Sequence, residues 1–151
     1  GMPHNANINF DQFEMARLYN IADVYIQSTH GESFSLPCLE SMSCGKPQVM
    51  VNCTTGPELV GEPKTGLLAN APLTTTTPLI SDIWMVDPYH LADCIRTIYQ
   101  EPVIRQECAK RALEFSQNFD IKKIMPHWIK LIEKIEADQL EVDYAKQKLG
   151  V

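Results

Sequence analysis

The sequence has no long hydrophobic run and no excess of basic residues. No stretch of about 18 consecutive apolar residues occurs, which predicts that no segment spans a membrane. The 13 Lys and Arg residues are dispersed among 19 Asp and Glu residues, and the resulting net charge of −6 argues against a nucleic-acid interface. No secretion signal is visible at the start, so we expect a cytoplasmic protein.

The cysteines lack the pattern of a disulfide framework or a metal site. They are five in number, show no C-x-x-C spacing and lie in apolar strand and helix contexts, which suits reduced thiols. A metal site built from Cys38, Cys44 and His30 is disfavoured, because a helical spacing of six residues points the two cysteines to different faces. We expect no metal and no cofactor.

The length of 151 residues suits one domain, which could bury about 68–70% of its unfolded surface. Residues 1–9 are interpreted as a tag remnant and linker, and residues 10–135 as the domain. Within it, residues 70–83 are rich in Pro and Thr and are expected to form a mobile insertion, after which Trp84-Met85-Val86 returns to the sheet edge. Residues 136–151 are a charged tail, either helical or disordered.

Short apolar runs alternate with helical patterns, which predicts an α/β fold with a short parallel sheet. The strands are expected at residues 23–27, 48–52 and 66–69. A helix is expected from about Gln12, because Asp11 and Glu14 have the spacing of a capping box. Further helices are expected from Ser35 to a left-handed Gly45, after Asp87-Pro88, at residues 103–116 and from Ile121 past Ile135.

The chain is organised around residues 28–45, which join the first two predicted strands. A helix that follows a parallel strand points its unpaired N–H groups and positive dipole end out of the carboxyl edge of the sheet. Open α/β sheets bind phosphorylated ligands there. Two carboxylates, Glu32 and Glu40, bracket the start of this helix. We therefore expect both to face a ligand that lies across the turn.

The run Glu32-Ser-Phe-Ser-Leu-Pro-Cys-Leu-Glu40 resembles the E-x7-E signature of retaining "group 1" glycosyltransferases, which have the two-domain GT-B architecture. The following Ser41–Val49 run resembles that family's small-Met-Ala-Cys-Gly-x-Pro-Val-Val continuation. The likeness extends over roughly residues 10–135 through Ala22-Asp23-Val24, residues 55–60 and residues 66–68. It implies a partial, Rossmann-like donor-binding domain, the carboxyl-terminal half of such an enzyme.

The resemblance also implies roles for individual residues. Glu32, the predicted catalytic residue, would accept hydrogen bonds from hydroxyls of the donor sugar, and Glu40 would bind the ribose hydroxyls. The alternative for each is an exposed surface glutamate. The donor diphosphate would be bound by backbone N–H groups of Ser33, Phe34, Ser35 and Leu36, and the pocket would also include His30, Gly31, Thr55 and Gly56.

Several of these residues have a structural alternative. His30 fits a solvated loop residue, while Thr55 and Gly56 fit a turn. Gly31 would permit a positive φ or a close backbone approach. The family usually has glycine where Ser35 stands, so either Ser35 adopts a strained positive φ or its hydroxyl caps the helix, and we expect the cap.

The resemblance further implies that strands one to three, a basic clamp for the diphosphate and the amino-terminal acceptor domain are missing from these residues. We therefore expect weak nucleotide-sugar binding and no activity from this chain alone. The strand at residues 23–27 would be an open apolar edge, which predicts homo-oligomerisation or coverage by residues 1–9 or the tail.

The intact protein is expected to transfer a hexosyl group from a UDP- or GDP-sugar to a glycan or lipid-linked acceptor, with peripheral membrane attachment left open. Two alternatives remain at this point. One is a sugar-nucleotide epimerase of the same architecture. The other is a non-catalytic module that binds a partner.

Overall fold

The computed structural model describes residues 10–78 and 82–149, and the chain divides after Ser116 into two compact units. The helices are α1 (Gln12–Ile21), α2 (Leu36–Ser43), α3 (Pro88–Gln100), α4 (Pro102–Ser116) and α5 (Ile121–Leu149). The strands are β1 (Tyr25–Gln27), β2 (Gln48–Val51), β3 (Gly66–Ala69), β4 (Leu73–Thr76) and β5 (Asp82–Met85). A π-helical turn (Pro57–Gly61) and a 3-10 turn (Gln117–Phe119) complete them.

The predicted parallel sheet is confirmed. Its order is β1-β2-β3, and its register places Ile26 beside Val49 and Val49 beside Leu67. All three strands point the same way, so the loops that follow them leave from one edge. Within the described residues β1 is an edge strand. Homo-oligomerisation through it stays a prediction, and its coverage by residues 1–9 falls outside the described residues.

The two faces of β2 pack against different helices. Val49 is fully buried and belongs to one cluster with Ala69, Cys94 and Ile98, and Cys108 of α4 joins it. The side chain of the next residue, Met50, points to the opposite face of the sheet. There its Sδ lies 3.3 Å from the Sγ of Cys38 on α2. Burying each large aliphatic side chain contributes about 1.5–3 kcal/mol, which fixes α2 against the sheet.

The helix ends follow the local signals in the sequence. Asp11 and Glu14 form the predicted capping box, with the Glu14 N–H donating to Asp11 Oδ1 at 2.8 Å. Asp87 caps α3 by accepting from the N–H groups of Tyr89 and His90. Gly45 has a φ of +67° after α2, as expected of a left-handed helix terminus.

The insertion at residues 70–83 was expected to be a loop without strands, and this expectation is wrong. Residues 73–76 form β4, which pairs antiparallel with β5 from Leu73 opposite Met85 to Thr76 opposite Asp82. This ribbon is a separate two-stranded sheet, so residues 84–86 do not return to the parallel sheet. The β-branched threonines favour strands, and that preference outweighs the flanking prolines. Residues 79–81 lie outside the described residues, and mobility of the insertion stays a prediction.

The second unit contains the 3-10 turn and α5. This helix is continuous from Ile121 to Leu149 and has Pro126 within it, so the part of the tail that the structure describes is helical. Over residues 10–78 and 82–149, no helix combines the length and apolar character needed to cross a membrane.

Candidate functional site

The loop after β1 is held by Gln27, a residue that the sequence interpretation missed. Gln27 is the last residue of β1 and is 8% exposed. Its Nε2 donates to Glu32 Oε1 at 2.6 Å, and its Oε1 accepts from Ser35 Oγ at 2.6 Å. A carboxylate only accepts hydrogen bonds, so the amide nitrogen must face Glu32. One side chain thus ties the predicted catalytic carboxylate to the start of α2.

Ser35 does not cap α2, and the expectation that it would is wrong. Its backbone is left-handed, with φ +67° and ψ 69°, and its side chain makes no capping hydrogen bond. This conformation costs a non-glycine residue about 1–2 kcal/mol. The hydrogen bond to Gln27 and the burial of Ser35, which is 5% exposed, hold it there. The glycine usual in the resembling family would adopt this backbone without strain.

We expect Ser35→Gly to be more stable than Ser35→Ala by about 1 kcal/mol, because both lose the hydrogen bond to Gln27 but only glycine relieves the positive φ. Urea unfolding of the two variants beside the wild type measures this difference. Equal stability of the two variants would show that the left-handed backbone carries no strain.

Glu32 is half-buried and lines an open cleft of about 360 Å³. Its own N–H donates to Thr54 Oγ1 at 3.0 Å, which joins the loop after β1 to the loop after β2. The cleft is lined by His30, Gly31, Glu32, Ser33, Thr54, Asp82 and Ile83.

The glycine in this cleft has no special backbone role. Gly31 lacks a positive φ, and an added Cβ would meet only Thr54 Cγ2 at 3.4 Å, so the conformational need expected there is absent.

Glu40 lies in a different cleft. This cleft measures about 440 Å³ and is formed by α1, the end of α2 and the residue Phe10. The Tyr19 hydroxyl donates to Glu40 Oε2 at 2.8 Å and so orients the carboxylate. The Glu40 cleft is lined by Phe10, Gln12, Met15, Ala16, Tyr19, Glu40, Ser43 and Cys44. The structure therefore places the two signature glutamates in separate clefts.

A pair of tyrosines links these clefts. The ring centroids of Tyr19 and Tyr25 are 6.3 Å apart, and the Tyr25 hydroxyl donates to Gln27 Oε1 at 3.3 Å. Burial, followed by the nearby Cys38 and the charges of Glu32 and Glu40, raises the pKa of Tyr25 to about 12. Burial and the hydrogen bond to Glu40 raise the pKa of Tyr19 still further above its usual value. Both hydroxyls therefore stay protonated donors near neutral pH.

The remaining predicted residues fall in varied places. The predicted pocket residues Thr55 and Gly56 lead into the π-helical turn, whereas the preceding residue, Thr54, lines the Glu32 cleft. The Gly56 N–H donates to Cys53 O, and an added Cβ would collide with Val51 O, so this glycine serves the turn. Ser33 is exposed at the cleft, and Phe34 and Leu36 are 42% and 64% exposed.

The cysteines serve packing in this region. Burial raises the pKa of the Cys38 thiol to about 12, which suits its place between Gln48 and Met50. All five cysteines are free. Across the part of the chain that the structure describes, no three His, Cys, Asp or Glu side chains are grouped to hold a metal ion.

The cleft also receives two residues from the insertion that the sequence interpretation missed, Asp82 and Ile83. They reach it because β5 is bonded to the loop after β1. The Trp84 N–H donates to His30 O at 3.1 Å, and His30 Nδ1 lies 2.9 Å from Trp84 O. A run of threonines and isoleucines in the insertion was the available signal for a strand, but nothing local indicated where it would dock.

Comparison with known proteins gives a consistent result. Residues 5–77 match the family described as glycosyl transferases group 1. The chain is 42% identical over 57 residues to O-antigen chain mannosyltransferase B of Escherichia coli, which covers 38% of this chain and 14% of that protein. It is 26% identical over 124 residues to D-inositol 3-phosphate glycosyltransferase of Corynebacterium diphtheriae, covering 82% of this chain and 24% of that protein. The chain therefore spans less than a quarter of these relatives' length.

Two solved structures have a similar fold. Sucrose-phosphate synthase from Thermosynechococcus elongatus superposes with a TM-score of 0.71 at 24% identity, over 86% of this chain and 29% of that one. Anabaena HepE in complex with UDP-glucose superposes with a TM-score of 0.66 at 21% identity, over 80% of this chain and 30% of that one. These two likenesses of fold confirm the predicted α/β fold class.

Proposed function

Since residues 5–77 match the family described as glycosyl transferases group 1, we propose that this chain binds a nucleotide-sugar donor across the two clefts that contain Glu32 and Glu40. The protein to which it contributes would transfer a hexosyl group from a UDP- or GDP-sugar to a glycan or lipid-linked acceptor. The proposal includes retention of configuration at the transferred carbon and no requirement for a metal. The UDP-glucose bound to a protein of similar fold supports the donor class.

The observation that carries this proposal is the orientation of Glu40. Its carboxylate accepts from Tyr19 and faces a cleft that also has the apolar side chains of Phe10 and Met15. A carboxylate can accept two hydrogen bonds from a vicinal diol, and apolar and aromatic groups suit the flat face of a base. We assign the nucleoside to this cleft, with its ribose at Glu40.

Glu32 then has the geometry of a sugar-binding carboxylate. Gln27 occupies part of one oxygen's acceptor capacity, and a carboxylate has about four acceptor positions in all. Its position is fixed from two directions, by Gln27 and by the bond from its own N–H to Thr54. We assign the donor hexose to this cleft and take Glu32 as the carboxylate that orients it.

We expect Glu40→Ala to weaken nucleotide binding at least about tenfold, because each charge-assisted hydrogen bond contributes about 1.5–3 kcal/mol. Saturation-transfer NMR titrations with UDP, GDP, UDP-glucose and GDP-mannose at millimolar concentrations measure this. Tyr19→Phe, which removes the orienting bond but keeps the ring, should weaken binding about threefold. Glu62→Ala removes another exposed glutamate and serves as the matched control.

The outcomes separate the candidate functions. Binding of a nucleotide that Glu40→Ala leaves intact would contradict the ribose assignment. Binding of none of the four compounds to the wild type would contradict the donor site and favour the non-catalytic module.

We also propose a cytoplasmic location. All five cysteines are free, and four of them are buried where they serve packing. Thiols of this kind persist in a reducing compartment.

A further inference from the structure

The β4–β5 ribbon forms one wall of the cleft that contains Glu32. Asp82 and Ile83 are the first two residues of β5. They line the cleft together with residues 30–33 and Thr54. We propose that this ribbon selects the sugar of the donor, with Asp82 as an acceptor for sugar hydroxyls and Ile83 as an apolar contact. The inference rests on the proposed donor site and adds a specificity-determining residue to it.

The ribbon is anchored to the same loop that carries Glu32. The Trp84 N–H donates to His30 O, and because a carbonyl oxygen only accepts, His30 Nδ1–H donates to Trp84 O in return. This reciprocal pair joins the backbone two residues after Asp82 to the residue two positions before Glu32. The separation between the two carboxylates is therefore set by a short bonded connection and not by the free end of a loop.

The carboxylate of Asp82 is itself oriented. Thr76 on the paired strand donates from Oγ1 to Asp82 Oδ1 at 3.0 Å. A carboxylate has acceptor capacity beyond one such bond. Asp82 is thus held in a direction set by the ribbon and can still accept from a ligand.

The chemistry of the cleft favours a neutral polyol over a phosphate. Its lining includes two carboxylates, Glu32 and Asp82, and two hydroxyls, Ser33 and Thr54, with no Lys or Arg among the lining residues. A diphosphate would be repelled by the two negative charges, whereas sugar hydroxyls donate to them. Recognition by polar groups discriminates strongly between hydroxyl patterns, because a mismatch leaves a desolvated polar group unpaired. Asp82 is positioned to make that distinction.

The test compares sugars that differ at a single hydroxyl. Binding of UDP-glucose, UDP-galactose, GDP-mannose and GDP-glucose, together with UDP and GDP, is measured for the wild type and for Asp82→Asn. We expect the substitution to change the affinity ratio within at least one epimeric pair threefold or more, and to leave the affinities for UDP and GDP within twofold. Thr76→Val, which removes the orienting bond, should shift the same ratio by a smaller factor in the same direction.

Asp93→Asn is the matched control, because it removes an exposed carboxylate from α3, which does not line the cleft. Unchanged thermal unfolding of Asp82→Asn shows that the ribbon is intact. If UDP or GDP binds but Asp82→Asn leaves every ratio unchanged, the ribbon does not select the sugar and the donor site stands. If no nucleotide binds the wild type, the donor site itself is overturned and this inference with it.

Discussion

Replacing Gly66 by alanine is expected to destabilise the fold by about 4 kcal/mol, which is at the upper end of single-residue effects. Gly66 pairs with Gln48 in the β2–β3 ladder. A Cβ at this position would collide with Gln48 O and lie 2.8 Å from Gln48 Cα. Both atoms are backbone, so relief requires separation of β3 from β2 and loss of the hydrogen bonds between them.

Thermal unfolding measures this effect, and a loss of that size lowers the Tm by roughly 8–16 °C for a domain of this length. Gly31→Ala is the matched control, because its Cβ would meet Thr54 Cγ2 at an ordinary 3.4 Å and its φ is not positive. We expect that variant to stay within about 0.5 kcal/mol of the wild type. A Gly66→Ala protein as stable as Gly31→Ala would contradict the close strand approach.

Gln27→Leu is expected to cost about 3 kcal/mol and to weaken nucleotide-sugar binding at least about tenfold. Leucine leaves the buried Ser35 hydroxyl without its acceptor and Glu32 without its amide donor. The lost bond to a carboxylate and the unsatisfied hydroxyl together account for the stability effect. Urea unfolding and the nucleotide titrations measure the two losses separately. Gln106→Leu, an exposed glutamine on α4, is the control for the change of residue type.

Gln27→Glu tests the contact between Gln27 and Glu32 through the pH dependence of stability. It places a second carboxylate where the amide now lies 2.6 Å from Glu32 Oε1, so the pair holds one proton and one carboxyl pKa rises in the folded state. A raised folded-state pKa contributes stability at low pH that is lost as the pH rises through it. We therefore expect Gln27→Glu to be destabilised at pH 7 and to approach the wild type near pH 5. A constant difference over that range would contradict the contact between Gln27 and Glu32.

The elements that could be predicted are those with local causes. The three parallel strands follow from apolar runs between turn residues, and the starts of α1 and α3 follow from Asp11 and Asp87, whose carboxylates accept from N–H groups two or three residues away. Gly45 was predictable for the same reason, since a left-handed helix end is a property of the residue itself.

Ser35 shows why local reasoning fails at the site. A serine before a helix favours capping by its own sequence, but here its hydroxyl finds a buried acceptor in Gln27, eight residues earlier on β1. That acceptor lies where it does because β1 is packed in the sheet. The tertiary contact outweighs the local preference and holds the backbone in a conformation that serine otherwise avoids.

The insertion shows the same limit on a larger scale. Its threonines favoured strands, and the residues that pair, from Leu73 with Met85 to Thr76 with Asp82, lie close together in the sequence. Its attachment to His30, however, joins residues 54 positions apart. No pattern in the insertion specifies that partner, and so Asp82 could not be assigned to a cleft from the sequence.

The sequence alone determined the family resemblance, the parallel α/β architecture and the starts of the helices, because spacing, caps and apolar periodicity act over a few residues. Only the tertiary structure decided that Gln27 joins Glu32 to Ser35, that Glu40 lies with Tyr19 in a second cleft, and that Asp82 stands beside Glu32. The physical reason is that side chains distant along the chain meet only after the sheet and helices have packed, and the free energy that holds them comes from that packing.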